Sequence, residues 1–199
     1  MNVPKTLLSI AGAGLPKADW QHAALLLIDH QEEYRQGSAA LSGLDAAITE
    51  CAMLQQQARA AAAPVLHIVH HGRPGGTLFD PHGHGVAILP ELAPLAGEVH
   101  IIKHLPNAFA GTDLHALLQA TGRQQLVIAG FATHMCVSST TRASLDLGYA
   151  CTVIAGACAT RNLPDPLGGV VSAAEVQRAS LAALADRFAI VLASAQQLA

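Results

Sequence analysis

Charge is scarce in this chain. Asp, Glu, Lys and Arg make up only 13% of its 199 residues, against 51% hydrophobic residues. So apolar a chain is not disordered, and part of its apolar surface is expected to close against further copies, as a dimer or tetramer. Its 11 Lys and Arg residues are scattered and the net charge is -3, so it lacks the electrostatic footprint of a protein that binds nucleic acid or an anionic membrane. A small molecule is the expected partner. Paired cysteines are missing too: Cys51, Cys136, Cys151 and Cys158 show no CxxC spacing, which excludes zinc ribbons and points to reduced thiols in the cytoplasm. No apolar run is long enough to span a bilayer. The opening stretch Met1–Gly14 has one lysine and a short apolar part broken by Ser9 and Gly12, too weak a pattern for a secretory leader.

What is present is an alternation of apolar runs and helix-forming stretches, within a length that fits one domain spanning residues 1–199. Ala23–Ile28 is continuously apolar and ends in Asp29. Unbroken hydrophobicity predicts a strand covered on both faces. Alanine-rich Leu44–Ala63 predicts a helix closed by Pro64, and Val65–Val69 a second strand. Further strands are expected at Glu98–Ile102, Leu126–Ala129, Tyr149–Ala155 and Phe188–Leu192. Helices are expected at Leu114–Ala120, Ser138–Leu147 and Ser172–Asp186, the last with Ser172 and Glu175 in capping-box spacing. Arg142 and Asp146 read as an i,i+4 surface pair. Between Gly72 and Gly97, six glycines and four prolines leave no room for a regular element; a segment of that length is expected to cover a site or meet a subunit. The pattern predicts an α/β fold: a three-layer, mostly parallel six-stranded sheet with helices on both faces.

In such sheets ligand groups gather at the carboxyl ends of the strands. Asp29, Lys103 and Cys136 follow the first, third and fourth strands, so all three belong to one edge. A carboxylate emerging from an apolar layer needs a partner, and Lys103 has the opposite need. Cys136 falls near the first turn of a helix, where the helix end favours thiolate over thiol. With a carboxylate to accept its proton and an ammonium to hold the charge, that thiol is a candidate nucleophile. Cys51, Cys151 and Cys158 read as packing residues.

Three segments together resemble a known family. Leu26-Leu27-Ile28-Asp29-His30-Gln31, Ile102-Lys103 with Asn107–Leu114, and Gly130-Phe131-Ala132-Thr133-His134-Met135-Cys136-Val137 resemble the isochorismatase-like cysteine hydrolases, which include nicotinamidases and N-carbamoylsarcosine amidases. The resemblance implies a six-stranded parallel sheet and a catalytic triad of Asp29 as base, Lys103 as electrostatic partner and Cys136 as nucleophile. It implies a cis peptide between Phe131 and Ala132, with the amides of Ala132 and Cys136 turned toward the substrate oxygen. It further implies hydrolysis of a small amide, carbamoyl or ureido compound through a thioester. Isochorismatase proper replaces the cysteine, so Cys136 argues against vinyl-ether hydrolysis.

The metal-binding Asp-x-His of nicotinamidases has no counterpart, because the corresponding place reads Val69-His70-His71-Gly72-Arg73. Adjacent histidines on an extended segment point apart, so His70, His71, His82 and His84 are expected to be loop histidines, with no metal or cofactor. Phe79, Phe109 and Phe131 are candidates for the pocket wall, and His30, Gln31 and His134, which flank the triad positions, for contacts to substrate polar groups. Two rival readings stand beside the hydrolase: a metal-assisted nicotinamidase, and a non-catalytic oligomeric binding protein on the same fold.

Overall fold

A computed structural model describes residues 3–198. In chain order its elements are α1 (Leu7–Ile10), β1 (Ala23–Ile28), α2 (Leu44–Ala60), β2 (Val65–His70), β3 (Val99–Lys103) and α3 (Leu114–Thr121). There follow β4 (Gln125–Phe131), α4 (Ser138–Asp146), β5 (Ala150–Ala159), β6 (Leu163–Pro164), β7 (Val170–Val171), α5 (Ala173–Arg187) and β8 (Ala189–Leu192). Six strands form one sheet in the order β3-β2-β1-β4-β5-β8, each adjacent pair parallel. Strands β6 and β7 make a small antiparallel pair apart from it.

The continuous apolar run of β1 is explained by its central place. All six residues are buried, and they divide by parity between two cores. Leu25 and Leu27 pack toward α2 with Leu54, Val127 and Ile154, whereas Leu26 and Ile28 pack with Leu66, Ile68, Leu114 and Leu184 on the opposite face. Full burial of a leucine side chain is worth about 1.5–3 kcal/mol, so a polar residue at any of these positions would remove a large part of the marginal stability of a domain.

Element boundaries differ from expectation where local geometry intervenes. Helix α2 stops at Ala60, three residues early, and Ala62 then takes a left-handed φ of 52° ahead of Pro64. Strand β5 runs past Ala155 to Ala159 through an irregularity: Val153 faces Ile128, but Cys158 faces Gly130. Helix α5 carries the expected capping box, with Ser172 and Glu175 each satisfying the other's backbone. Arg142 does not turn to Asp146; its guanidinium lies over the Phe188 ring, 4.2 Å from the centroid.

The irregular segment 72–97 is stitched to the body. Ile88 bridges Gln31, Leu89 and Leu92 are fully buried, and the Leu89 amide donates to His30 O at 2.9 Å. Near the start of the described chain, the Leu7 amide donates to Asp186 of α5 at 2.7 Å; Met1, where the leader-like stretch begins, lies outside the described residues. Among the described residues no helix is long and apolar enough to cross a membrane.

Candidate active site

The sheet order brings three distant segments to one edge. Asp29 follows the last residue of β1, Lys103 closes β3, and Cys136 lies in a wide π-type turn, Thr133–Val137, that joins β4 to α4. Asp29 has φ 51°, a left-handed conformation that Asp tolerates better than most residues, and its amide donates to Ile68 O at 2.7 Å. Strand direction therefore breaks where the carboxylate must turn toward its neighbours. Lys103 Nζ donates to Asp29 Oδ2 at 2.8 Å and to Cys136 Sγ at 3.3 Å. The side chains of Asp29 and Lys103 have no solvent exposure, and Cys136 is 6% exposed. Oδ1, the second carboxylate oxygen of Asp29, is buried with no settled donor among the described residues.

Burial pushes the Asp29 carboxyl upward against the pull of the Lys103 charge. Burial, then the Asp29 charge, pushes the Cys136 thiol up to about 12, and Lys103 only partly counters them. The thiolate expected at a helix start is thus overridden in the resting site: desolvation exceeds what the helix end supplies. Burial thus favours the protonated sulfur.

The peptide bond between Phe131 and Ala132 is cis. Ala132 O accepts from the Met135 amide at 3.0 Å, which fixes the turn that carries Cys136. The Ala132 amide sits near the Tyr34 hydroxyl: burial raises that phenol well above its ordinary value, as do the charges of Asp29 and Cys136, and the amide offsets a part. Around these groups is a cavity of about 480 Å³. One side is Asp29, Ala132 and Cys136; its apolar walls include Tyr34, Leu41, Leu78, Phe79 and Met135; its other polar groups are His70, His134 and Arg161. A further depression, of about 390 Å³, lies by Gln21, Arg123 and Gln125 at the amino ends of the strands, away from this chemistry.

Residues 23–196 match the isochorismatase domain family. The chain belongs to the isochorismatase family. It is 42% identical to an isochorismatase of Pseudomonas putida known from a crystal structure, with a TM-score of 0.91 over 95% of this chain and 96% of that one. A secreted isochorismatase effector of Verticillium dahliae is 33% identical over 186 residues, 94% of this chain and 95% of the relative. A ureidoacrylate amidohydrolase of Stutzerimonas stutzeri is 31% identical over 169 residues, 67% of this chain and 68% of the relative. This protein is an isochorismatase-family hydrolase.

In this isochorismatase-family chain the expected pocket residues part company. Phe79 and His134 line the cavity. Phe79 is held at φ 53°, uncommon for a bulky residue, by the hydrogen bond its backbone N–H donates to Glu33 Oε2 at 2.9 Å, and its ring meets Tyr34 edge-on at 5.3 Å. Gln31 is instead a buried strut: Nε2 donates to His70 O and Val86 O, and Oε1 accepts from the His70 amide. Phe131 is fully buried beneath Tyr34, 5.9 Å away. Phe109 stacks on Tyr149, half-buried against the core of the other sheet face. Phe131 and Phe109 do not line the cavity, because an aromatic ring in an apolar chain is drawn first toward the core. His30 is buried and bonded to His67 at 2.9 Å, not to the cavity.

The donors of a nicotinamidase-type metal do not assemble. His70 Nδ1 faces Lys103 Nζ at 3.3 Å, and burial, then the Lys103 charge, lowers its pKa to about 4. His71 lies against His104, and His82 and His84 are exposed. A cation beside Lys103, with the one nearby carboxylate already bonded to that lysine, does not fit.

Tyr34, His70 and Arg161 are cavity residues that the sequence did not single out as such. The rule that polar groups follow strand ends would have found Arg161. The fifth strand was expected to end at Ala155, and with its end at Ala159 Arg161 stands two residues beyond, at the same edge as the triad.

Proposed function

We propose that this protein hydrolyses a small amide, carbamoyl or ureido compound through a thioester on Cys136. The observation that carries this reading is the contact of one buried ammonium with both a carboxylate, at 2.8 Å, and a thiol, at 3.3 Å, beside an open cavity. Similarity to a ureidoacrylate amidohydrolase supports a carbon–nitrogen bond as the one cleaved.

In this scheme Asp29 removes the Cys136 proton as sulfur attacks the carbonyl carbon, and Lys103 holds the negative charge that passes between them. The amides of Ala132 and Cys136 stabilise the tetrahedral oxyanion; one such donor is worth roughly 3–4 kcal/mol in the barrier. Collapse breaks the carbon–nitrogen bond, and Asp29 returns the proton to the departing nitrogen, which leaves as ammonia or an amine. Water then adds to the thioester, giving one proton to Asp29 and its hydroxyl to the acyl carbon. The carbon–sulfur bond breaks, and the proton restores the thiol. A neutral resting thiol suits this cycle because the ion pair stays intact until substrate arrives.

The test is a screen of small amides and ureas by ammonia release, with Cys136→Ala as blank and intact mass for an acyl adduct. Turnover that survives Cys136→Ala would defeat the nucleophile assignment. We also propose self-association, supported by the exposure of Leu78, Leu105 and Met135 near the cavity; light scattering that reports a monomer would refute it.

A further inference from the structure

The Lys103 side chain has no solvent exposure, so each of the three N–H bonds of its ammonium needs an acceptor in the protein. Two of them end on Asp29 Oδ2, at 2.8 Å, and Cys136 Sγ, at 3.3 Å. The third meets His70 Nδ1, also at 3.3 Å. An ammonium has no fourth donor, so Lys103 has none to spare for a substrate. The imidazole nitrogen facing it must be bare, and a neutral His70 then carries its proton on Nε2. Burial, then the Lys103 charge, keeps the ring neutral by lowering its pKa to about 4. With Nδ1 engaged and Nε2 protonated, His70 has no lone pair left to act as a second base.

The fold sets the imidazole beside the ammonium. His70 ends β2, Lys103 ends β3, and the two are partners in the parallel register, so their side chains leave adjacent strands on the same face. The His71 amide donates to Lys103 O at 2.9 Å. Buried Gln31 takes both backbone groups of His70: its Nε2 donates to His70 O at 2.9 Å, and its Oε1 accepts from the His70 amide at 2.8 Å. The Phe79 ring meets the imidazole edge-on, with centroids 5.2 Å apart. Lysine is a flexible stem ending in a rotating set of three donors. A bond to the carboxylate fixes one of those donors and leaves the other two free to swing about it. A second fixed acceptor removes that freedom and determines where the last N–H points.

We propose that His70 is a positioning residue for Lys103: by accepting one N–H it turns the ammonium so that the other two meet the Asp29 carboxylate and the Cys136 sulfur together. Its effect on turnover rests on the hydrolase reading above, whereas its effect on the sulfur is read without a substrate. The role is carried by one acceptor atom, not by the bulk of the ring.

The experiment compares wild type with three variants. His70→Leu and His70→Met fill the space with apolar atoms, and the flexible Met adapts where Leu does not fit. His70→Asn restores an acceptor, because its Oδ1 can stand where the imidazole Nδ1 stood. Circular dichroism checks that each folds. Alkylation of Cys136 by iodoacetamide at neutral pH, followed by intact mass with Cys136→Ala as blank, reads the thiolate that Lys103 stabilises. It should slow by about 10- to 100-fold in the Leu and Met variants, the range of one hydrogen bond to a charged group. His70→Asn should return to within a few-fold of wild type. Ammonia release from butyramide and N-propylurea should follow the same order in kcat, with KM little changed. Alkylation at the wild-type rate in the Leu or Met variant overturns the proposal, and turnover retained there leaves the hydrolase standing. Equal slowing in all three variants also overturns it, since the acceptor atom would then not matter. A rise in KM alone would make His70 a substrate contact and overturn the positioning role. The expected alkylation pattern without Cys136-dependent release of ammonia from any amide or urea supports the positioning of the sulfur and counts against the hydrolase reading.

Discussion

Lys103 Nζ lies 2.8 Å from Asp29 Oδ2, and neither side chain is exposed to solvent. Such a pair contributes little net stability while intact, because desolvation of two charges offsets most of their attraction. Removing one partner is another matter. Lys103→Met is expected to cost about 3–5 kcal/mol, since it leaves Asp29 buried with no counter-charge. The double variant Asp29→Asn/Lys103→Met should recover much of that loss and none of the activity. Urea unfolding of the two single variants and the double variant measures the coupling; strict additivity would show that the pair is not linked energetically.

Asp29→Asn should separate thiol acidity from turnover. The Asp29 charge and its hydrogen bonding both raise the Cys136 pKa, after burial. A neutral amide there removes these effects, so the thiol should titrate below the value of about 12 it has beside the carboxylate. The variant also lacks the proton acceptor, and kcat should fall by about 100- to 10,000-fold. Thiolate ultraviolet absorbance against pH, set beside ammonia release, checks both halves. A variant that keeps its kcat would show that Asp29 is not the base.

The sheet and the meeting of Asp29, Lys103 and Cys136 at its edge were legible because each rests on a strong local signal. Continuous apolar runs such as Ala23–Ile28 belong to strands with two buried faces, and the polar residue that ends such a run marks the carboxyl edge. The cavity was much less legible. Gln31 looked like a substrate contact from its place beside Asp29, yet its amide is consumed by backbone groups of segment 70–86 that no local pattern reveals. Phe131 and Phe109 have the composition of wall residues, yet Phe131 is buried in one core and Phe109 packs half-buried against the other. Arg161 was hidden by the three extra residues that β5 accommodates between its contacts to Ile128 and Gly130. Such an irregularity depends on the neighbouring strand, not on the residues of β5 alone.

Gly130 is the residue on which that passage from β4 to the cis peptide depends. Its φ is 121°, and a Cβ there would drive into the backbone of Ile28 on the adjacent strand. Both the conformation and the close approach require glycine. Gly130→Ala is therefore expected to destabilise strongly, with loss of soluble protein or a melting temperature many degrees lower. Gly122→Ala serves as control: that residue caps α3 at φ 69° with open space around it, so it incurs conformational strain alone. Equal melting temperatures for the two variants would contradict the backbone clash.

Acid should unfold the protein in two overlapping stages that different side chains control. Burial, then the charges of His67 and His100, lowers the His30 pKa to about 3, below the unfolded value of about 6.5. A depressed folded pKa means that the unfolded chain binds the proton first, so the His30 contribution is complete above about pH 6.5 and is lost as pH falls toward 3. Partial burial would raise Glu98, but hydrogen bonds from Arg59, the Leu95 amide and His67 outweigh it and bring the carboxyl to about 2. Its contribution is complete above the unfolded value of about 4.3 and is lost as pH falls through 2. Urea midpoints should therefore begin to decline below about pH 6.5 and decline more steeply below about 4.3. The stability gap between wild type and Glu98→Gln should narrow across the lower window only, because protonation there does to the wild type what the substitution has already done to the variant. A gap that stays constant down to pH 3 would mean that the Arg59–Glu98–His67 cluster does not hold the carboxylate as its bond lengths of 2.8 to 2.9 Å indicate.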